Sequence, residues 1–412
     1  MTEFYDKVSE RLIRYAKINT QSKANTGLDV STKCQFDLAY ELYNELKRIN
    51  ASNVYLDEKS CIVYANILAN TSAKGFGLIT HMDTAPDASG ENVMPWILKN
   101  YDGKDVLLNK EKNIIISPKD FPNLLNYIGS DIIFTDGTTL LGGDDKAGIA
   151  AVMTFAEYII NHDEIKHGLI SIAFTPDEEV GGLAKNLDFK RFNVPVAYTL
   201  DGDHKGYYSF ETFNALEAQI KIKGLSVHTG TAKGIMKNAI TIATDIMSKI
   251  PLNERPENTC EREGFYHPVL FEGTCEEAYL RILIRDFDKD LFNKKKEFIE
   301  CLINNANKKY NDTIATITWS NGYPNMGEYT TKVKGLVKNL IEAIKASNIT
   351  PIELPFRGGT DGSSLSSRGL PCPNLSAGYE NAHGRFEYVP IDNMEDNVRI
   401  LIELAKIYAK EA

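Results

Sequence analysis

The chain has 412 residues, more than one hydrophobic core usually supports, so two domains are expected. Hydrophobic residues make up 43% and charged residues 25%, an ordinary globular balance that excludes a disordered chain. The formal net charge of −10 argues against nucleic acid and anionic membranes as partners, because both bind basic surfaces.

Leader segments and cysteines give further limits. The sequence from Met1 onward lacks the basic start and apolar run of a secretory signal, and no stretch approaches the roughly 18 apolar residues of a membrane span. Six cysteines are spread over the whole length without a paired Cys-x-x-Cys. This spacing is typical of free thiols in a reducing compartment, so we expect a cytoplasmic protein. Any metal site should then use histidines and carboxylates.

The first predicted element with a clear period is a helix. Leu38, Leu42 and Leu46 recur every four residues, and Ser31 is placed to cap the helix. Further along, short apolar runs stop at polar residues, and residues 146–160 between two of these runs have a helical composition. Strands alternating with helices predict an α/β layer built on a mixed, largely parallel sheet. The runs and their stops are 77–80 at His81, 169–175 at Pro176 and 194–200 at Asp201.

The hydrophobic period then changes. Apolar and polar residues alternate over 216–223 and again over 278–284, which predicts strands with one wet face. A helix over 239–250 and a short apolar run at 314–317 complete a small α+β domain with an antiparallel sheet. We expect this domain to be inserted into the first one, with a helix over 333–344 beginning the return. The predicted bounds are 209–322 for the insertion and 1–208 with 323–412 for the discontinuous domain.

Polar side chains follow the predicted strands at their carboxyl ends, where open parallel sheets bind ligands. One histidine among several carboxylates would be a repulsive cluster without a cation. Nitrogen and oxygen ligands in that mixture suit Zn²⁺ or a similar divalent ion. The residues collected there are His81 and Asp83, Glu178 and Glu179, and Asp201, with Asp144 and Asp145 at the mouth of the predicted helix.

Each of these pieces also has an ordinary structural explanation. A His-x-Asp pair is usually a surface pair, and the run Asp177-Glu-Glu is usually a solvated charge cluster. Asp144 and Asp145 can cap a helix, and Asp201 can be a turn residue before Gly202. Four separate explanations at four successive element ends make a poor joint account. The combination therefore favours a metal centre.

Longer motifs surround these residues and continue towards the C-terminus. They are His81-Met-Asp-Thr, Leu140-Leu-Gly-Gly-Asp-Asp-Lys-Ala-Gly, Thr175-Pro-Asp-Glu-Glu-Val-Gly, Tyr198-Thr-Leu-Asp-Gly, His228-Thr-Gly-Thr-Ala-Lys-Gly, Ile284-Arg-Asp-Phe-Asp, Arg357-Gly-Gly-Thr-Asp-Gly and Leu370-Pro-Cys-Pro-Asn. Together they resemble the peptidase T family, the tripeptide aminopeptidases of the co-catalytic zinc exopeptidases. Carboxypeptidases, dipeptidases and aminoacylases are relatives in that superfamily. The likeness covers nearly the whole chain in the expected order.

The resemblance implies two zinc ions per subunit and a set of ligands. Asp144 would bridge both ions. His81 and Asp201 would complete one site, and Glu179 and His383 the other. The sequence departs from the family pattern just before His383, where a glycine-rich stretch is expected and Ala stands instead. That departure touches no proposed ligand.

The resemblance also implies catalytic and substrate-binding roles. Glu178 would be the general base, and Asp83 would accept the spare imidazole N–H of the histidine ligand beside it. From the inserted domain, acting as a lid, His228 would stabilise the oxyanion, although the proline that often follows it in the family is replaced by Thr. Arg357 would bind a substrate carboxylate with its planar fork, with an Arg–Asp pair as the structural alternative, and Arg285 is a further implied substrate contact.

The expected activity is removal of the N-terminal residue from tripeptides with a free amino end. A related zinc dipeptidase, carboxypeptidase or aminoacylase stays open, because the metal centre recognises only an amide bond. A non-catalytic peptide-binding protein on the same fold is a further alternative, although such a protein has no need of a general base. The sequence leaves side-chain preference, the native metal and the oligomeric state open, with a homodimer as one option.

Overall fold

The computed structural model describes residues 3–182, 184–320 and 322–411. The chain divides into two compact units, one of Met1–Phe210, Tyr329–Leu354 and Thr360–Ala412, and one of Glu211–Glu328 with Pro355–Gly359. Up to residue 210 the elements are α1 (Tyr5–Ala16), α2 (Gln35–Arg48), β1 (Ser52–Asp57), β2 (Ile62–Ile67), β3 (Phe76–His81), β4 (Trp96–Leu98), β5 (Val106–Asn109), β6 (Ile114–Ile116), β7 (Ile132–Phe134), α3 (Gly143–Ile160), β8 (Ile170–Thr175), α4 (Phe189–Phe192), β9 (Ala197–Leu200) and β10 (Tyr207–Ser209). The rest are β11 (Asn214–Lys223), α5 (Ala239–Met247), β12 (Phe265–Gly273), β13 (Glu277–Asp286), α6 (Lys289–Tyr310), β14 (Ala315–Trp319), α7 (Gly327–Thr330), α8 (Leu336–Ala346), β15 (Ile352–Glu353), α9 (Asp361–Ser367), β16 (Asn374–Leu375), β17 (Tyr388–Pro390) and α10 (Ile391–Lys410).

The main sheet of the first unit has, among the described residues, eight strands in the order β1-β2-β8-β3-β9-β16-β10-β15. The pairs β8–β3, β3–β9, β9–β16 and β10–β15 are parallel, and the other three pairs are antiparallel. The sheet is therefore mixed and largely parallel, and the predicted α/β fold class is confirmed. Separate small sheets, β17-β7-β4 and β5-β6, are antiparallel.

Helices cover both faces of this sheet, because its central strands are apolar on both sides. Leu78, Ile172 and Tyr198 lie on one face and share a core with α1, α2, α3, α8 and α10. Their neighbours Ile79 and Ala173 point the opposite way and pack with residues of α4 and α9. The alternation follows the two-residue period of a strand.

The second unit is an antiparallel sheet with two helices. Its strands run in the order β12-β13-β11-β14. Ile220 pairs with Leu280, and both belong to a core that includes Ile246 of α5 and Ile299 of α6. Gln219, Lys221 and Lys223 are exposed, as the alternation predicts, whereas Glu217 on the predicted polar face is buried and pairs with Arg281.

The prediction that Ser31 caps the helix of Leu38, Leu42 and Leu46 is wrong. Helix α2 begins at Gln35, and Cys34 occupies the N-cap position without a side-chain cap bond. Ser31 instead donates both its hydroxyl and its N–H, the latter at 2.8 Å, to the carboxylate of Asp177. A buried acceptor distant in sequence has taken the serine that local spacing assigned to the helix.

The units differ in three places from the predicted domain bounds, the first being the start of the second unit at Glu211 instead of residue 209. The second unit continues to Glu328 and includes the short segment Pro355–Gly359. A β-bridge from Thr212 to Phe356 and hydrogen bonds from Arg357 to the 259–263 loop hold that segment to the second unit. None of the helices within the described residues combines the length and hydropathy needed to span a bilayer.

Candidate metal centre and active site

The predicted site residues meet at one edge of the main sheet because three parallel strands end at the same level. His81 at the end of β3 pairs in register with Thr175 at the end of β8. Ile79 pairs with Thr199 on β9, so Asp201 follows at the level of His81. The carboxyl ends of β3, β8 and β9 thus bring His81, the turn of Glu178 and Glu179, and Asp201 to a common edge of the sheet.

Asp144 contributes one oxygen to each of two clusters. Its Oδ1 lies 2.9 Å from His81 Nε2, and the ligand atoms of His81, Asp144 and Asp201 all lie within 4.8 Å of one another. Its Oδ2 lies 3.2 Å from His383 Nε2, and the ligand atoms of Asp144, Glu179 and His383 form the second cluster within the same limit. His383 Nε2 is also 2.9 Å from Glu179 Oε2. One carboxylate is therefore shared between two histidine–carboxylate groups.

The chemistry of this donor set fits a divalent cation at each cluster. Burial raises the pKa of Glu179 to about 7, and Glu179 Oε1 is buried without a hydrogen-bond partner among the described residues. Hydrogen bonds to Asp144 and Glu179 raise the pKa of His383 to about 11. Burial works to lower the pKa of His81, but its bonds to Asp144 and Asp83 raise that pKa well above the usual range. Carboxylates that draw protons this strongly onto nitrogen ligands provide the negative environment that a bound cation requires.

Asp83 contacts both the His81 imidazole and the turn of Glu178 and Glu179. Its main-chain oxygen lies 3.1 Å from His81 Nδ1, and its Oδ1 lies 3.4 Å from the same nitrogen. Its carboxylate also accepts the N–H of Glu178 at 2.9 Å and the N–H of Glu179 at 3.2 Å. Asp83 is therefore placed to orient both the imidazole and the turn that carries the acidic pair.

The acidic turn Asp177-Glu-Glu is held from both sides. Asp177 is buried and accepts hydrogen bonds from Ser31 and Gln35, so it is not a solvated charge. Burial, with the neighbouring charge of Asp201, raises the pKa of Glu178 well above its usual range. A carboxylate with a raised pKa in a fixed turn has the properties of a general base.

Three predicted substrate contacts belong to the second unit. Arg357 donates to the carbonyls of Glu261 at 2.8 Å and Glu263 at 2.9 Å, and its guanidinium lies over the ring of Phe213. Its partners are thus main-chain oxygens and the Thr259 hydroxyl at 2.8 Å, not the aspartate of the structural alternative. Arg285 donates to the carbonyl of Arg357 at 3.0 Å. The roles of both arginines in substrate binding stay predictions.

His228, the third of these residues, is exposed in the 228–231 turn. Its Nδ1 accepts the N–H of Gly230 at 3.2 Å. In the neutral ring the proton then sits on Nε2, which leaves that atom as a donor. Its oxyanion role also stays a prediction.

Two residues at the site had no signal in the sequence. Tyr379 donates its hydroxyl to Asp201 Oδ1 at 2.9 Å. Glu387 accepts the main-chain N–H of Asp144 at 2.8 Å. Neither residue follows a predicted strand or stands in a metal-ligand spacing, so only tertiary contacts reveal them.

Comparison with known proteins identifies the family. Over 407 residues the chain is 47% identical to peptidase T of Caldanaerobacter subterraneus subsp. tengcongensis, a match that covers 98% of this chain and 99% of that protein. The chain belongs to the peptidase T family. It is also 45% identical over 409 residues to peptidase T of Bacillus licheniformis, covering 99% of this chain and all of that protein. The family predicted from the motifs is confirmed, and with it a metal-dependent aminopeptidase.

Domain and fold comparisons agree with this membership. Residues 210–311 match a peptidase dimerisation domain. The fold is similar to that of aminopeptidase PepT from Bacillus cereus, with a TM-score of 0.78 at 20% identity over 98% of this chain and 99% of that one. A dinuclear metal-binding M20 peptidase from Bacillus subtilis has a TM-score of 0.70 at 12% identity, over 99% of each chain.

Proposed function

We propose that the protein removes the N-terminal residue from tripeptides with a dinuclear zinc centre and Glu178 as general base. The observation that carries the proposal is the sharing of Asp144, whose two oxygens face two separate groups of ligand atoms. His81 and Asp201 would hold one zinc ion with Asp144, and Glu179 and His383 the other. When bound, zinc ions supply Lewis acidity and lower the pKa of water towards about 7.

Glu178 carries the proton in this mechanism. It takes a proton from the attacking water and returns it to the leaving nitrogen of the cleaved bond. The turn that carries Glu178 is held by a hydrogen bond from the Glu178 N–H to the Asp83 carboxylate. The Asp83 carboxylate also accepts the N–H of Glu179, so the base and one proposed zinc ligand are positioned together.

The second unit supplies the proposed substrate contacts. His228, with its Nδ1 occupied by a main-chain N–H, offers Nε2–H to the oxyanion in the neutral ring. Arg357 and Arg285 are the cations proposed to recognise the carboxylate of a short peptide. We propose that the inserted domain, predicted as 209–322 and seen as the unit Glu211–Glu328 with Pro355–Gly359, acts as a lid for the catalytic domain.

Assembly and location complete the proposal. The match of residues 210–311 to a peptidase dimerisation domain supports a homodimer. The six cysteines are all free thiols, which supports a reducing compartment and hence the cytoplasm.

A peptide series tests the activity. Zinc-loaded protein should release the first residue from a tripeptide with a free amino end and should leave the N-acetylated form intact, with zinc content measured on the same sample. Glu178→Gln is the matched control for contaminating peptidases. Hydrolysis of the N-acetylated peptide would indicate an aminoacylase, and release of the last residue would indicate a carboxypeptidase. Tight binding of the tripeptide without turnover would indicate a peptide-binding protein.

A further inference from the structure

Glu387 is a buried carboxylate that the proposed mechanism does not use. It is 2% exposed and lies directly before β17. Its Oε2 accepts the N–H of Leu141 at 2.8 Å and the N–H of Gly142 at 2.7 Å. Its Oε1 accepts the N–H of Asp144 at 2.8 Å. Three main-chain N–H groups within four residues, all at this distance from one carboxylate, form a dedicated main-chain clamp.

The clamp supplies hydrogen-bond acceptors to main-chain N–H groups at and just before the start of α3. The first N–H groups of a helix have no partner within the helix, and α3 begins here. Its N-cap residue is Gly142, which has no side chain to cap the helix. The Glu387 carboxylate accepts the N–H of Asp144 in the first turn and the N–H groups of Leu141 and Gly142 just before the helix.

The local sequence leaves room for the carboxylate to approach. A Cβ atom built on Gly143 would lie 3.1 Å from Glu387 Oε1 and 2.5 Å from a methyl group of Val389. Cβ atoms in proteins do not lie 2.5 Å from a methyl group, so a side chain at this position would force one of the two segments to move. Glycine at 143 therefore allows the segment of Glu387 to lie against the loop that carries Asp144.

Glu387 also stands on the segment that carries His383. Its own N–H donates to the carbonyl of Gly384 at 3.2 Å, and Glu380 and Tyr388 close the segment with a β-bridge. The clamp thus joins two pieces of chain that are distant in sequence. Both Asp144 and His383 contribute to the same cluster of ligand atoms.

We propose that Glu387 is a positioning residue, which holds Asp144 and His383 at the spacing required for the dinuclear centre. This inference rests on the proposed function, since it assumes that Asp144 is the shared ligand. Glu387 is not among the proposed metal ligands or substrate contacts. Its effect is expected in metal affinity and kcat, with KM little changed.

The test compares Glu387→Gln and Glu387→Asp with Glu45→Gln as a matched control. A glutamine side chain offers one acceptor oxygen and one amino group, so at least one clamped N–H loses its partner. Loss of a charge-assisted hydrogen bond of this kind corresponds to about a 10–100-fold change. We expect Glu387→Gln to lower zinc affinity and kcat by that factor with KM within about threefold, and Glu387→Asp to recover part of both. Excess zinc should restore part of the activity of Glu387→Gln.

Glu45 is a suitable control because it is also a buried acid with several partners. It accepts hydrogen bonds from Arg11, Arg14 and Tyr15, none of which is a site residue. Glu45→Gln should lower Tm and leave zinc content and kcat unchanged. The absorption spectrum of the cobalt(II)-substituted protein should shift in Glu387→Gln and not in Glu45→Gln, because only the former alters ligand geometry.

The outcomes separate this inference from the proposed function. If Asp144→Asn loses zinc while Glu387→Gln keeps zinc, kcat and the cobalt spectrum, Glu387 is only structural and the inference is overturned. If Asp144→Asn keeps both ions, the proposed function fails and the inference fails with it. Should Glu387→Gln not fold, the same readouts on Glu387→Asp decide, and wild-type values in that variant overturn the inference.

Discussion

Replacing Asp83 with asparagine tests how the turn of Glu178 and Glu179 is held. The Asp83 carboxylate accepts the N–H of Glu178 at 2.9 Å and that of Glu179 at 3.2 Å, and it lies 3.4 Å from His81 Nδ1. Asparagine has the same size, but only one of its two terminal atoms can accept a hydrogen bond. One of the two N–H groups must then face an amino group.

The size of the effect follows from burial. Asp83 is 0% exposed, so water does not replace the lost acceptor. An unsatisfied buried donor costs about 1–3 kcal/mol, and each 1.4 kcal/mol is a factor of ten in rate. If that cost appears in the position of Glu178, kcat should fall by about 10–100-fold. KM should change little, because Asp83 is not among the proposed substrate contacts.

Steady-state kinetics on a tripeptide, with zinc content measured in parallel, is the assay. The control is Asp131→Asn, since Asp131 accepts the N–H of Asn100 at 2.8 Å and the hydroxyl of Tyr5 at 2.6 Å, outside the site. Asp131→Asn should reduce stability and keep kcat. Wild-type kcat in Asp83→Asn, or an equal loss of kcat in both variants, would refute the reasoning.

Three further predictions use substitutions at the acidic pair, at Arg357 and at His204. Glu178→Ala should retain zinc, and its turnover should fall by at least about 10²–10⁴-fold. Glu179→Ala should lose zinc and regain some turnover in excess zinc. The measurement is zinc stoichiometry beside single-turnover rates, and zinc loss in Glu178→Ala with zinc retained in Glu179→Ala would show that the roles are exchanged. Arg357→Ala should lower the free energy of unfolding by about 2–4 kcal/mol and weaken binding of the peptide without loss of zinc. Arg357→Lys should restore neither, because a single ammonium group cannot replace the guanidinium fork. An unchanged denaturation midpoint together with an unchanged KM would contradict this prediction. The hydrogen bond to Glu380 raises the pKa of His204, so the stabilisation from this pair is complete below the unfolded pKa and disappears as pH rises through the folded pKa. Denaturation at several pH values should therefore show the stability gap between wild type and His204→Ala narrowing with rising pH, and a constant gap would contradict the pairing.

Local pattern predicted the parts of the fold whose residues are adjacent in sequence. The apolar runs ending at His81 and before Asp201 became β3 and β9, because continuous apolar strands are stable only between two helical layers. The alternation over 216–223 became β11. The convergence of the candidate ligands followed from parallel pairing, which brings strand ends to one edge of the sheet.

Contacts between distant segments were beyond such patterns. Strand β12 was not predicted, since exposed and buried residues do not alternate regularly along it and its pairing with β13 is interrupted between Pro268 and Leu270. Asp177 was assigned to a solvated run as its ordinary explanation, because nothing in its neighbours indicates the buried bonds to Ser31 and Gln35. The clamp of Glu387 is of the same kind: its acceptors and donors are more than 240 residues apart.

The central claim is that Asp144 is shared by two zinc ions that the reaction requires. The most direct measurement titrates exhaustively metal-free protein with zinc and records bound zinc and tripeptide hydrolysis in the same sample. We expect two ions per chain, activity that rises with occupancy, and a loss of binding at both sites in Asp144→Asn. Full hydrolysis by the metal-free protein, or two ions retained in Asp144→Asn, would contradict the account.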